Sequence, residues 1–229
     1  MTLSIVIPTW NEGHQIGGRV QFLFQYGGSA VKEVIIADGG STDNTCAEAI
    51  HAGARLITAG KSRARQMNAG ARLATGTVLY FVHADVQLPS TFVSDIEQSI
   101  ARGAAAGCYR YVFASPKLML KVNAYCTRFN RLMCRGGDQT LFVKREVFDE
   151  LGGFNEYYSI MEDYDFIRRL WRKHTFHIIP KNVVVSARKY DTNSWLRVQM
   201  ANLIVFMLFL VGRHPDRIKR MYQHLLNYR

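Results

Sequence analysis

Four runs in the first 85 residues are apolar with no polar alternation: LSIVIP (3–8), EVIIAD (33–38), ARLITA (54–59) and TVLYFVHAD (77–85). A strand without alternation has both faces covered, which is the pattern of a parallel sheet. Between the runs the period becomes helical: Ile16, Val20, Leu23 and Phe24 form one stripe, residues 45–50 carry a second, and SRARQMNAGARLA (62–74) a third, with Ser62 at its cap position. Strands alternating with helices predict an α/β fold, a mostly parallel central sheet flanked by helices. Beyond residue 104, AAAGCYRYVF reads as a further strand, 116–135 as a basic helix or lid, and QTLFVKREVFDELGGF as strand, short helix and glycine stop. Phe166, Ile167, Leu170 and Trp171 give the segment after Glu162 and Asp163 the apolar face of a helix.

Open α/β sheets bind ligands outside the carboxyl ends of their strands. Polar residues gather at those ends here: Thr9 to Glu12, Asp38 to Asp43, and His83 with Asp85. One such cluster is commonly a turn with a helix cap, whereas three along one edge describe a site.

The chain of 229 residues is long enough to bury a real core. Its net charge of +11 is unevenly placed: residues 1–167 carry 16 basic and 16 acidic side chains, and residues 168–229 carry 13 and 2. A neutral body with a basic end suits an anionic ligand or surface. No aromatic and basic stripe of a nucleic-acid module is present, so nucleic acid is not an expected partner. Cys46, Cys108, Cys126 and Cys134 match no zinc or redox spacing and read as reduced structural thiols. The start, MTLSIVIPTWNEG, lacks a basic leader and breaks its apolar run at Pro8, which predicts a cytoplasmic location.

In order, IVIPTWNEG, VIIADGGSTDNT, SRARQMNAGARLATG, FVHADVQLP, GGDQTLFVKREVFDELGGFNE and MEDYDFIRRL resemble the family 2 inverting glycosyltransferases, over about Leu3 to Arg188. HADVQLP, GGDQ and VSARKY are similar to a small stand-alone bacterial branch of that family. The resemblance implies a GT-A fold, a nucleotide-sugar donor, an acceptor hydroxyl, and Mn²⁺ or Mg²⁺. It divides the chain into a catalytic domain, 1–190, and a basic, apolar helical segment, 191–229.

Carried over residue by residue, the resemblance implies that Pro8, Thr9 and Glu12 line the base and ribose pocket and that Asp38 takes the base edge. For Glu12 and Asp38 the competing role is helix capping. Arg65, at a helix start, is assigned to the diphosphate and Arg63 to solvent, with Asn68 holding the loop. The family's Asp-x-Asp stands here as His83-Ala84-Asp85. Asp85 keeps the metal role, because a hard cation takes one or two protein oxygens and completes its shell with phosphate. His83 is expected to line the nucleotide site without ligating, and Arg188 to meet the donor phosphates. Asp138 and Gln139 are expected to contact sugar or acceptor. Asp163 is the implied base, Glu162 an acceptor contact and Asp165 structural; acids complementing a helix dipole are the competing reading.

The apolar block Leu203 to Val211 is too short for the ~20 residues that span a bilayer. Through 196–229 the chain is expected to dock internally, to dimerise, or to touch the inner face of an anionic membrane, where the acceptor would be lipid-linked. Two other functions compete. A sugar nucleotidyltransferase would need a glycine-rich phosphate loop after the first strand, and PTWNEGHQIGG is a poor one. An idle relative acting as a membrane-surface binder would not need both Asp85 and Asp163.

Overall fold

The computed structural model describes residues 1–136 and 139–226. Four parallel strands come first: β1 (Leu3–Thr9), β2 (Val31–Asp38), β3 (Arg55–Thr58) and β4 (Val78–Phe81). Then β5 (Ala106–Phe113), β6 (Leu141–Lys144) and β7 (Phe176–Val185) extend the sheet, to the order β3-β2-β1-β4-β6-β5-β7. β6 runs antiparallel to both its neighbours, while β7 is parallel to β5. The chain moves one way from β1 to β3 and then returns to the other side of β1 as β4, so a topological switch point lies between the carboxyl ends of β1 and β4.

Helices cover both faces, as the unalternated strands require. On one face, Ile5, Ile7 and Val34 pack with Ile16 and Val20 of α1 (Gly13–Gly27) and with Phe92 and Ile96 of α4 (Phe92–Ala101). On the other, Val6, Ile35 and Leu79 meet Met67 of α3 (Arg63–Leu73), Phe148 of α6 (Arg145–Glu150) and Phe166 of α7 (Glu162–Leu170). Successive residues Ile5, Val6 and Ile7 thus enter opposite cores, each fully buried. The remaining helices are α2 (Thr45–His51), α5 (Leu118–Cys126), α8 (Trp195–Leu210) and α9 (Pro215–Leu225).

The run expected as a strand over 77–85 is shorter. Its ladder with β1 ends at Val6 opposite Phe81, and residues 83–86 close a turn in which the Val86 amide donates to the His83 carbonyl at 3.1 Å. His83 and Asp85 therefore sit on a turn beyond the strand. β7 went unrecognised in the sequence because Pro180 interrupts it. The register with β5 slips between Tyr109 and Arg110, so that Pro180 and Lys181 bulge out of the ladder that a proline cannot donate to. Ser62 stands at the start of α3 with extended backbone, yet its side chain makes no capping bond.

Gly107 in β5 shows how tightly the sheet is closed. A Cβ there would fall 2.2 Å from the His177 carbonyl oxygen and 2.5 Å from the Phe142 ring. Gly107→Ala is expected to destabilise the fold by about 1–3 kcal/mol or more, because the backbone of β7 cannot yield as a side chain can. Urea unfolding would show it as a lowered midpoint, and an unchanged midpoint would refute the close approach.

Candidate active site

The β1–α1 and β2–α2 loops are built as one unit. The Asn11 amide donates to Ser41 Oγ at 2.8 Å, the Thr42 amide to Asn11 Oδ1 at 2.9 Å, and the Glu12 amide to Thr45 Oγ1 at 2.8 Å. Asp43 accepts from the Gly13 and Thr45 amides, both at 3.0 Å, and so caps the starts of α1 and α2. Asn11 has a φ of 55°, a left-handed conformation that asparagine tolerates better than most residues. These bonds hold the chain after Thr9 over the end of β1.

Asp38 ends β2 and is 2% exposed. One carboxylate oxygen accepts from the Gly40 and Ser41 amides, each at 2.8 Å; the other accepts from the hydroxyls of Ser41 at 2.5 Å and Thr9 at 3.3 Å. Burial by itself would raise its pKa, but these donors outweigh burial and hold it below the usual carboxylate range. Thr9 is buried beneath the same loop, and Pro8 pairs across to Ala37 inside the sheet. Asp38 thus gives its acceptors to the loop that follows β2 and to Thr9.

Across the switch point lie groups of opposite sign. Arg188 follows β7, and its guanidinium stands 3.5 Å from Glu12 Oε1 and 3.5 Å from Asp85 Oδ2. The Asp85 side chain is 33% exposed, in contrast to the enclosed Asp38. Half-buried His83 lies on the same turn. The turn is propped from below by Arg19 of α1, whose Nε donates to the Ala84 carbonyl at 3.4 Å. Burial lowers the pKa of Arg19, and the charge of Asp85 opposes that fall.

The third wall is formed by α3 and α7. Gln66 of α3 is buried, and its Nε2 donates at 2.8 Å to both the Thr9 and the Ala37 carbonyls, pinning the helix under the ends of β1 and β2. One turn earlier, Arg63 stands 3.4 Å from Glu162 Oε1 and 3.8 Å from Asp163 Oδ2. Arg65, the residue assigned to the diphosphate, instead pairs with Glu156 at 3.7 Å and is 61% exposed. Arg63 is itself 42% exposed, so it meets both solvent and the acids that open α7. Ala64, Met67 and Ala71 mark one inward arc of α3; Arg63 lies beside that arc, about 70° from its centre, and Arg65 farther round, about 130° from it.

Glu162 is 2% exposed and opens α7, with Asp163 17% exposed beside it. Met161, just before them, has a φ of 72°, strained for a side-chain-bearing residue and a common mark of functional sites. Burial pushes the Glu162 carboxyl above its usual range, and the charge of Arg63 draws it back. Asp165 is buried and pairs with Arg169 at 2.8 Å and Arg168 at 3.4 Å. Asn68 ties α3 to the segment before α7: it donates to the Phe154 carbonyl at 2.8 Å and accepts from the Phe154 amide at 3.0 Å. Gly153, with a φ of 70°, lets that segment pass Asn68 closely.

Two further expectations concern the GGDQ segment. Asp138 lies outside the described residues. Gln139 is buried, with its amide turned into the protein, 3.4 Å from the Cys134 carbonyl and 3.6 Å from Cys108 Sγ. Beside it Arg135 is 1% exposed and donates to the Thr127 and Phe129 carbonyls at 2.5 and 2.9 Å. At the β1 end, the Lys61 ammonium sits 3.0 Å above the centroid of the Trp10 ring.

The linkage between Arg63 and Glu162 has a measurable consequence. A carboxyl whose folded pKa is raised binds its proton more tightly in the native state, so stability falls as pH climbs from the ordinary carboxylate range through the raised value. Arg63→Ala removes the attraction that limits the rise. The variant is therefore expected to lose stability more steeply with pH than the wild type, and Glu162→Gln to abolish the difference. Parallel pH slopes in urea unfolding of all three proteins would rule the linkage out.

A mostly parallel sheet of this order, with charged side chains gathered at its switch point, is the GT-A fold of nucleotide-sugar glycosyltransferases. Residues 4–190 match the family model described as Glycosyl transferase family 2, and the chain belongs to that family. Among solved structures it is similar to glucosyl-3-phosphoglycerate synthase from Mycobacterium tuberculosis in complex with Mn²⁺, UDP and glucosyl-3-phosphoglycerate. The TM-score is 0.66 at 17% identity, covering 93% of this chain and 80% of the other. It is similar also to the mannosyltransferase PcManGT from Pyrobaculum calidifontis in complex with GDP-Man and Mn²⁺, with a TM-score of 0.68 at 17% identity over 96% of this chain and 68% of the other. In sequence, 57 residues are 39% identical to glucosyl-3-phosphoglycerate synthase of Mycolicibacterium smegmatis, a match spanning 25% of this chain and 19% of that protein.

Proposed function

We propose that the chain moves a sugar from a nucleotide-diphosphate donor to an acceptor hydroxyl with inversion at the anomeric carbon, assisted by Mn²⁺ or Mg²⁺. The observation that carries this reading is the placement of Arg188 between Glu12 and Asp85 at the switch point, on the same strand-end edge as the Arg63–Glu162–Asp163 group. Residues 1–190 would form the catalytic unit and 191–229 an appended helical segment.

The donor set fits a hard cation. Asp85 is 33% exposed on the turn after β4 and engages Arg188 at 3.5 Å, so one carboxylate is within reach of an ion there. One carboxylate with substrate phosphates completing the shell is the pattern of such ions. When bound, the ion would offset the charge gathering on the departing diphosphate. The protein groups supply the rest. Pro8, Thr9, Glu12 and His83 would border the nucleoside, with Asp38 setting the shape of the floor. Arg188 would turn from its carboxylates to the diphosphate.

On the acceptor side, Asp163 would take the hydroxyl proton as the oxygen bonds to the anomeric carbon and the bond to the diphosphate oxygen breaks on the opposite face. Glu162, held by Arg63, would orient the acceptor. Asp138 is proposed as a sugar contact on the family pattern alone, and Gln139 as its support.

Calorimetric titration with UDP, GDP, CDP and dTDP, each with and without Mn²⁺, tests the reading. Metal-dependent binding of one nucleotide is expected; binding of none would overturn it and leave an idle relative.

A further inference from the structure

We propose that α8 is a bilayer-docking helix that lies in the interface of an anionic membrane. Its buried side is complete: Val198 and Ala201 pack with Tyr190 and Leu226, and Val205 and Phe209 with Ile218 of α9. A second apolar stripe nevertheless runs along the opposite side. Leu196, Met200, Leu203, Met207 and Leu210 follow one another at four- and three-residue steps, and each is 46% exposed or more. Over a 16-residue helix this stripe is about 20 Å long, far beyond the scattered apolar residues of an ordinary surface.

The surrounding charge selects the occupant. Arg197 and Arg213 stand at the two ends of the stripe, and α9 adds Arg217, Lys219 and Arg220, all exposed. Asp216 is the one acid between residues 192 and 226. An apolar face rimmed by cations complements acyl chains beneath anionic headgroups. A two-fold dimer through the same stripe would instead bring two sets of these cations together with little acid to offset them. Spanning is not available either, since no helix among the described residues is long and apolar enough to cross a membrane.

The position of α8 makes docking consequential. Its buried residues Val205 and Phe209 pack against Tyr158, Met161 and Tyr164, which bracket Glu162 and Asp163. A membrane beneath α8 therefore lies one helix away from those carboxylates. The docking itself does not depend on the proposed reaction.

Vesicle flotation of the full chain tests it, comparing phosphatidylcholine vesicles with vesicles that also contain phosphatidylglycerol. Binding is expected only to the anionic vesicles, weakening as salt is raised. The double variant Leu203→Glu/Met207→Glu should reduce it by about tenfold or more, since it puts two carboxylates on the face that would enter the acyl region. Both positions are exposed, so the thermal midpoint and nucleotide binding should be unchanged. A second variant, Arg213→Gln/Arg217→Gln, leaves the stripe intact and should lower the preference for anionic vesicles. Absence of binding, equal binding to neutral vesicles, or self-association in sedimentation that the Glu pair abolishes would each overturn the proposal.

Discussion

Asp163→Asn is expected to slow turnover of the nucleotide sugar by about 10²–10⁴-fold, the usual contribution of a positioned general base, while nucleotide affinity stays within a small factor of wild type. That range corresponds to roughly 2.7–5.5 kcal/mol of transition-state stabilisation. The asymmetry follows from the geometry: Asp163 sits at the start of α7 beside Arg63, and the groups assigned to the nucleotide come from β1, β2, the turn after β4 and the end of β7. Asparagine keeps the volume and a hydrogen bond but accepts no proton. Release of nucleoside diphosphate, with water as surrogate acceptor, reads the rate without knowledge of the natural acceptor. Full activity in this variant would remove Asp163 from the base role and leave it as a partner of Arg63.

The second large effect is expected at the other wall. Asp85→Ala should weaken Mn²⁺-dependent nucleotide binding by about 100-fold or more, given that substitutions merely behind a metal's ligands cost about 10–100-fold in affinity. Binding measured without metal should change little, or improve slightly, because Arg188 loses one of its two carboxylates and is freer to meet phosphate. Calorimetry of wild type and variant with and without Mn²⁺ separates these terms. Equal losses with and without metal would mean that Asp85 serves only to position Arg188. Together the two substitutions divide the cleft, one altering rate at constant affinity and the other altering metal-linked affinity.

The two walls also differ in how far they could be read beforehand. The strand ends are local in sequence: a residue that follows an apolar run by one to four positions must emerge at the edge of the sheet, so Thr9, Glu12, Asp38 and Asp85 could be placed there from the pattern. Which of them faces the cleft depends on hydrogen bonds made across loops. Asp38 and Asp85 look alike in sequence, yet Asp38 is enclosed by Ser41, Gly40 and Thr9, and Asp85 is open beside Arg188. Arg63 and Arg65 stand two positions apart in one motif, and their different partners, the acids of α7 and Glu156, are set by what packs beside the helix. β7 escaped notice because its proline sits in a bulge, which no period-2 pattern displays.

The alternation of apolar runs and helical stripes was by itself sufficient for the fold class, because it depends on the spacing of residues a few positions apart, and the charge count along the chain was sufficient for its basic end. The long-range juxtapositions belong to the tertiary structure. Arg188 comes 103 residues after Asp85 to reach it, Arg63 meets acids nearly a hundred positions away, and α8 covers one stripe while leaving the other bare. Such contacts follow from how the sheet orders its strands and from what each helix packs against, and local periodicity carries no record of either.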